Sequence, residues 1–463
     1  MGWTIVLDVG KSLSKATLWD EHGKLRERRS RPNASAQAVA YCALDATGIE
    51  KWLEGVFREF AACGPIDAIV PAAHGAGAAV VREQRLICPP MDYEWSGVAA
   101  ERELYHRQRD PFTCTGSPKL PAGLNLGAQL HWLESRIDRF ASGTILPWPQ
   151  YWAWRLSGVA ASEVSSLGCH TDLWQPFAQA PSALALRHGW SQQLAPLTQA
   201  GATLGCLTAD WVGRTGLRPN VKIICGLHDS NAALLAARNH PEIQGADATI
   251  LSTGTWFVAM RAGGVVESAT VALLSETRDC LVNVDVEGMP VPSSRFMGGR
   301  EIELLAGRDD SAIPVAACDR QHAAIKAIEA GAMFLPTLVP GVGPFPVANH
   351  RCVGACDDAL NRTTLAHIYA ALVADASLDL VGSRERLVIE GRFSQAAMFV
   401  ETLAALRPDT KVFVSDADEG VAHGALRLLG RQPPHSGLRE IAPLPVQIDG
   451  YRRRWRELAA ASP

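Results

Sequence analysis

Twice along this chain a short apolar strand breaks at a tip of glycine and hydroxyl residues and returns as a second strand. The first instance runs from Trp3 to Asp8, turns at Gly10-Lys11-Ser12 and returns from Ser14 to Trp19. The second runs through Thr249-Ile250-Leu251, turns over Ser252-Thr253-Gly254-Thr255 and returns from Trp256 to Met260. A strand, a tight turn and a second strand read as a β-hairpin. Backbone N–H and hydroxyl donors gathered at such a tip suit phosphate oxygens. Between the two instances, Ile223-Ile224-Cys225 reads as a buried strand stopped by Gly226. Asp229 stands where a helix rich in alanine and leucine should begin. Two phosphate-sized hairpins, with a carboxylate at a strand end between them, imply a duplicated architecture that closes on a nucleotide.

The remaining pattern supports that architecture. Ile49 to Ala62 has helical spacing, with Trp52, Leu53, Val56, Phe57 and Phe60 on one face, and Ile66 to Ala72 reads as a strand. Farther on, strands are expected at Leu281–Val286, Leu387–Ile389 and Val412–Val414. Helices are expected at Ala324–Ala330, Leu365–Leu380, Ser394–Leu406 and Glu419–Leu429, the last with Gly420 and Gly424 one turn apart. Strands alternating with helices argue for an α/β class. At 463 residues the chain can fill two cores, and Pro241 with Gly245 marks a linker, so domains are expected at 1–240 and 241–463. Charged residues make up 20% and the net charge is −4 without a long basic run, so nucleic acid is not an expected partner, and the cluster Arg452-Arg453-Arg454-Trp455-Arg456 reads as a solvated helix face packing across the domains. The first apolar run is cut by Asp8 and Lys11, and no apolar stretch approaches the ~20 residues of a membrane helix. Neither a signal peptide nor membrane association is expected. Eleven cysteines, scattered mostly singly, fit reduced thiols in the cytoplasm. Cys352 and Cys356 near His350 form the one close group, and ordinary loop cysteines outweigh a metal site there because no second pair completes the ligands.

Two nucleotide motifs fail on their own terms. The Gly10-Lys11-Ser12 run resembles the end of a P-loop, but the required earlier glycine is Ile5 and the chain continues into a strand, not a helix. His74-Gly75-Ala76-Gly77 follows a strand, yet Val80 stands where a dinucleotide fingerprint needs glycine. His74, just past a strand's carboxyl end, either faces a crevice or is a plain structural histidine. Asp92-Tyr93-Glu94 is either a solvated turn or a set of hydroxyl-binding groups. The aromatic cluster from Pro147 to Leu156 reads as core before sugar stacking. Asp229 taken alone could be no more than a helix cap.

Taken in order, Asp8-Val9-Gly10-Lys11-Ser12 with Lys15, His74-Gly75, Gly226-Leu227-His228-Asp229, Ser252-Thr253-Gly254-Thr255, the Gly391 turn and Gly420 to Leu426 span nearly the whole chain. This series resembles the FGGY family of carbohydrate kinases, in the branch with kinases of deoxy-ketoses such as rhamnulose and fuculose. The resemblance implies two actin-like (ribonuclease H-like) α/β domains of the ASKHA superfold with a nucleotide and sugar cleft between them. It implies phosphorylation of a sugar hydroxyl, of a ketose or deoxy-ketose, with ATP and Mg2+ as cofactors. By position, Asp229 would be the catalytic base and Asp8 the magnesium residue, acting through water. Gly10, Lys11, Ser12, Lys15, Gly254 and Thr255 would hold phosphates, while Gly391, Ser394 and Gly420 would line the adenosine. His74, Gly75, Asp92, Glu94 and His228 would face the sugar. The family usually has threonine at Lys11, a glycine run at Ile389-Glu390-Gly391 and a GERTP-like loop at Pro340 to Pro344. Those departures leave a degenerate sugar- or nucleotide-binding sensor, or a polyol kinase, as the alternatives. A small-molecule sugar is the implied partner, and a homodimer is the default expectation.

Overall fold

The computed structural model describes residues 2–38, 40–263, 266, 274–306, 317–356, 359–416, 419–431 and 437–461. The chain forms two compact units. The first comprises Met1–Ala237, Val282–Pro290 and Glu419–His435; the second comprises Arg238–Leu281, Val291–Asp418 and Ser436–Pro463. Segments 282–290 and 419–435 thus cluster with the first unit, away from their neighbours in sequence.

The first unit's sheet contains β1 (Trp3–Val9), β2 (Leu13–Trp19), β3 (Leu25–Pro32), β4 (Ile66–Ala73), β5 (Thr203–Cys206), β6 (Lys222–Ile224) and β7 (Leu227–His228). The order is β5-β6-β4-β1-β2-β3, with β7 also paired to β4. β1 runs antiparallel to β2 and parallel to β4. Alternate residues of β1 feed different cores, as a strand's two-residue period requires. Ile5, Leu7 and Val9 pack with Ile49, Leu53, Phe57 and Phe60 of α1 (Ala46–Ala61). Val6 joins Val70 and Ile224 against Ala422, Ala425 and Leu426 on the opposite face. Both faces are covered, which is why β1 reads as a nearly continuous apolar run. Asp45 caps α1 by accepting the Gly48 N–H at 2.8 Å. The helix α2 (Asp229–Ala237) packs on α3 (Gly420–Arg427). Gly424 makes that approach possible, because a β-carbon there would collide with the Ala232 carbonyl oxygen.

The second sheet contains β8 (Ala248–Thr253), β9 (Phe257–Ala262), β10 (Cys280–Val284), β11 (Pro290–Phe296), β12 (Arg386–Gly391), β13 (Lys411–Val414) and β14 (Arg439–Glu440), in the order β10-β11-β9-β8-β12-β13-β14. β8 runs antiparallel to β9 and parallel to β12, repeating the relation of β1 to β2 and β4. The duplication expected from the hairpins is therefore present in the strand pairing itself. The helix expected from Ser394 starts later, at Ala397, after a tight turn over Arg392–Gln395.

Two expectations change. The basic stretch near Arg452 is not a merely solvated face. Arg452 and Arg456, one turn apart on the helix Asp449–Ala460, reach the fully buried Asp375 at 2.7 and 2.5 Å, and Arg407 reaches it at 3.0 Å. Cys352 and Cys356 are paired as a disulfide, against the expectation of unpaired thiols, while eight other cysteines are free among the described residues. No helix of the described residues is long and apolar enough to cross a membrane.

Candidate active site

In the first unit, three strands deliver charged groups to one sheet end. Asp8, next to last in β1, lies opposite Lys15 of β2 and Ala72 of β4. Lys15 Nζ is 3.0 Å from Asp8 Oδ2. Burial pushes the Asp8 pKa above the usual carboxylate range; Lys15 pulls it back, and the Asp229 carboxylate adds to the rise. Burial also works against the charge on Lys15, but Asp8 more than offsets it and the lysine's pKa is raised.

β7 pairs with the same β4, Leu227 with Ala72 and His228 with Ala73. That register sets His228 and Asp229 beside the point where the chain leaves β4 as His74. The turn into β7 needs Gly226, whose φ is 79° and whose β-carbon would strike the Pro71 carbonyl. The buried Gln150 side chain donates to the Gly226 carbonyl at 3.1 Å and fixes the turn. Asn231 Nδ2 lies 3.0 Å from His228 Nδ1, which assigns the ring proton to Nε2, 3.3 Å from Asp229 Oδ1. Burial drives the His228 pKa down to about 4, so the ring is neutral and donates to Asp229.

Asp229 opens α2 and keeps 22% of its side chain exposed. Its Oδ1 accepts from the Ser230 N–H at 2.6 Å and Ser230 Oγ at 3.3 Å. Burial raises its pKa, opposed by His74, Ser230 and Lys15. His74 Nδ1 donates to the Gly75 carbonyl at 2.6 Å, leaving Nε2 as a buried acceptor with no hydrogen-bond partner. Burial holds this ring below its ordinary pKa.

The tip of the first hairpin is tied by Asn33. Its amide donates to the Gly10 carbonyl at 2.8 Å, its N–H donates to the Ser12 carbonyl at 2.8 Å, and its Oδ1 accepts from Ser14 Oγ at 2.9 Å. The Gly10 N–H is used internally, on the Leu13 carbonyl at 3.0 Å, while Ser12 is exposed. Lys11 leaves the tip toward another loop, with Nζ 2.6 Å from Asp92 and 3.5 Å from Glu94. Tyr93 meets the His74 ring edge-on at 5.5 Å, joining this group to the Asp229 cluster.

Behind these residues, Glu163 is wholly buried and accepts from Ser165 N at 2.9 Å, Ser165 Oγ at 2.6 Å, Ser166 N at 3.0 Å and Ser166 Oγ at 3.1 Å. Ser165 Oγ in turn accepts the His228 N–H at 3.3 Å. Asn33, Gln150 and Glu163 escaped sequence reasoning. Only Glu163, two residues before a serine pair, carried a capping signal.

In the second unit, Gly254 and Thr255 form the tip between β8 and β9, with the Gly254 N–H on the Trp256 carbonyl at 3.0 Å and Thr255 exposed. Thr253 Oγ1 donates to the Glu390 carbonyl at 2.6 Å and accepts the Phe393 N–H at 3.0 Å, tying the tip to the Gly391 turn, whose φ is 85°. Ser394 is buried in that turn. Gly298 and Gly299, also unforeseen, open the helix Gly298–Ala306, with Gly299 directly under the Gly254 carbonyl. Their signal was a glycine pair ahead of an amphipathic run. Gly420 lies in the first unit, at the start of α3, near Ala233.

A partly exposed carboxylate at a helix start, beside a second carboxylate paired to lysine, can accept a hydrogen bond from an alcohol and sit next to a cation. Comparison with known proteins gives the chain a family. Residues 245–437 match the family model for the carbohydrate kinase FGGY C-terminal domain. A carbohydrate kinase from Novosphingobium aromaticivorans is 47% identical, with a TM-score of 0.92 over 98% of this chain and 99% of that one. An L-fuculokinase from Salmonella typhi is 25% identical over 323 residues, a match spanning 65% of each protein's length. A Plasmodium falciparum glycerol kinase with ADP, 12% identical, shares the fold with a TM-score of 0.79 over 99% of this chain and 98% of its own. The chain belongs to the FGGY family of carbohydrate kinases, which are phosphotransferases.

Proposed function

We propose that this protein phosphorylates a hydroxyl of a ketose or deoxy-ketose with ATP and magnesium, Asp229 serving as base. The observation that carries the reading is the place of Asp229. Its carboxylate starts a helix, takes a proton-bearing neutral imidazole on one side, and keeps an open face. The helix start favours its ionised form, while burial raises its proton affinity. The likeness to an L-fuculokinase supports a ketose acceptor.

The residues present fit both cofactors. Asp8 is under-neutralised, since burial raises its pKa even with Lys15 attached, so a second cation would relieve it. No cluster of three His, Cys, Asp or Glu side chains among the described residues could hold a metal directly. Magnesium keeps several waters and uses few carboxylates, so Asp8 alone would reach it through water. Magnesium–ATP, when bound, supplies the phosphoryl group. Lys15 and Ser12, in the first unit, are the groups we assign to its phosphates. Gly420, in the same unit, is assigned to the adenosine. His74 Nε2, lacking a donor, would accept a hydrogen bond from a sugar hydroxyl.

The test is a coupled ADP-release assay over L-fuculose, L-rhamnulose, D-xylulose and glycerol. We expect turnover on at least one ketose, and Asp229→Asn should lower kcat by about 10²–10⁴-fold with ADP affinity unchanged by calorimetry. Activity of the Asp229→Asn variant within a few-fold of the parent would reject Asp229 as base. Sugar-independent binding of ADP with no turnover on any acceptor would favour a sensor.

A further inference from the structure

Lys11 springs from the first hairpin's tip, where its charge would serve a phosphate, yet that charge is already taken. Its Nζ sits 2.6 Å from Asp92 Oδ1, 3.5 Å from Glu94 Oε2 and 5.4 Å from the centre of the Tyr93 ring. Asp92 is equally committed. Only 5% of its side chain is exposed; Oδ1 also accepts the Glu94 N–H at 3.0 Å, and Oδ2 accepts from Ser35 Oγ. Burial works against this carboxylate, but Lys11, Ser35 and the Glu94 N–H together hold its pKa below the usual range. With three of about four acceptor sites occupied and the side chain nearly closed off from solvent, Asp92 has little capacity left for a sugar hydroxyl.

The same loop is fastened at a second point. The Gly123 N–H donates to the Tyr93 carbonyl at 2.9 Å, and the buried Gln129 amide bridges the Gly123 and Ala76 carbonyls at 2.6 and 2.7 Å. Tyr93, held between that bracket and the Lys11 ammonium, presents its ring to His74 at 5.5 Å. The chain of contacts therefore runs from the hairpin tip through Lys11 to Asp92, Glu94 and Tyr93, and ends on the imidazole beside Asp229.

We propose that Lys11 is a positioning residue of the sugar side: its ion pairs fix the 92–95 turn and hold Tyr93 against His74, and it does not hold the nucleotide's phosphates. This rests on the kinase reading above and reverses the role that position in the tip implied for Lys11.

The experiment compares Lys11→Met, Lys11→Arg, Asp92→Asn and the double variant Lys11→Met/Asp92→Asn with the parent. Steady-state KM is measured for ATP and for the best ketose of the panel, and ADP affinity by calorimetry. Lys11→Met should raise the sugar KM by about ten-fold or more, a loosened loop being enough to misplace a substrate, with the ATP KM and ADP Kd within about two-fold. Lys11→Arg, which can still span both carboxylates, should recover most of the sugar KM. The double variant should be no worse than either single one, since both remove the same contact. A rise in ATP KM or ADP Kd with the sugar KM unchanged would overturn the proposal, as would parent-like values for both. If the parent turns over no sugar, the kinase reading fails separately, and calorimetry still judges Lys11. Weakened ADP binding in Lys11→Met then overturns the proposal, while unchanged ADP binding with loss of a D-xylulose-induced melting shift upholds it.

Discussion

Replacing Glu163 by glutamine should flatten the pH dependence of the first unit's stability. Glu163 is wholly buried, and burial drives its pKa from 4.5 up to about 7 although four donors from Ser165 and Ser166 oppose the rise. A carboxylic acid whose folded-state pKa exceeds its unfolded value takes up a proton on folding between the two. Its contribution is therefore most favourable below pH 4.5 and is lost as pH climbs through 7. At about 1.4 kcal/mol for each tenfold change in proton affinity, the full loss is about 3 kcal/mol, and most of it falls between pH 5 and pH 8. The glutamine keeps one acceptor oxygen but faces serine donors with its amide, a cost of about 1 kcal/mol typical of a lost cap and independent of pH. Urea unfolding of parent and Glu163→Gln at pH 5, 6, 7 and 8 measures the difference, since every other titrating group is common to both. The gap between the two proteins should move by about 2–3 kcal/mol across that range in the variant's favour. A constant gap would show that two backbone N–H groups and two hydroxyls keep the buried carboxylate ionised, and the reasoning from burial would be wrong.

Gly424→Ala drives a methyl group into the Ala232 carbonyl and should cost about 1–3 kcal/mol, seen as a lower Tm and a reduced kcat because α2 carries Asp229. Gly55→Ala, in a helix with nothing within 4 Å, is the control and should stabilise by up to about 1 kcal/mol. Asp375→Asn leaves Arg407, Arg452 and Arg456 around a neutral amide and should destabilise the second unit by about 3–5 kcal/mol, read by thermal unfolding. A Tm within about 2 degrees of the parent would mean that the arginines find other partners or water.

The parts of this protein legible in its sequence are those whose signal is local. Both hairpins announced themselves because apolar runs ended at glycine and hydroxyl clusters, and the Gly226-Leu227-His228-Asp229 turn because a strand, a glycine and a helix start follow one another directly. Gly424 signalled close approach but not to what, since its partner is the backbone oxygen of Ala232, far away in the chain. The arginines near 452 read as solvated because their buried partner, Asp375, lies within the apolar helix Ala359–Leu380. The resemblance sets Lys11 among the phosphate-holding residues; hairpin spacing fixes where its Cα stands, and only the fold of the 89–95 loop brings its ammonium to Asp92.

The two sheets show how one architecture is given unequal chemistry. In each, the opening strand lies between its antiparallel return and a parallel partner, and the residue next to its end faces both. In the first unit that residue is Asp8, flanked by Lys15 and Ala72. In the second it is Ser252, flanked by Val258 and Glu390. The carboxylate has moved one strand over and lost its lysine. Ser252 Oγ donates to it at 2.5 Å, and burial still raises the Glu390 pKa. Burial raises the pKa of both carboxyl groups, but only Asp8 has a lysine beside it to oppose the rise; Glu390 has the Ser252 hydroxyl. One strand pairing therefore carries two different charge environments: in the first unit the carboxylates Asp8 and Asp229 have lysine and imidazole partners, while in the second Glu390 is held by a hydroxyl alone.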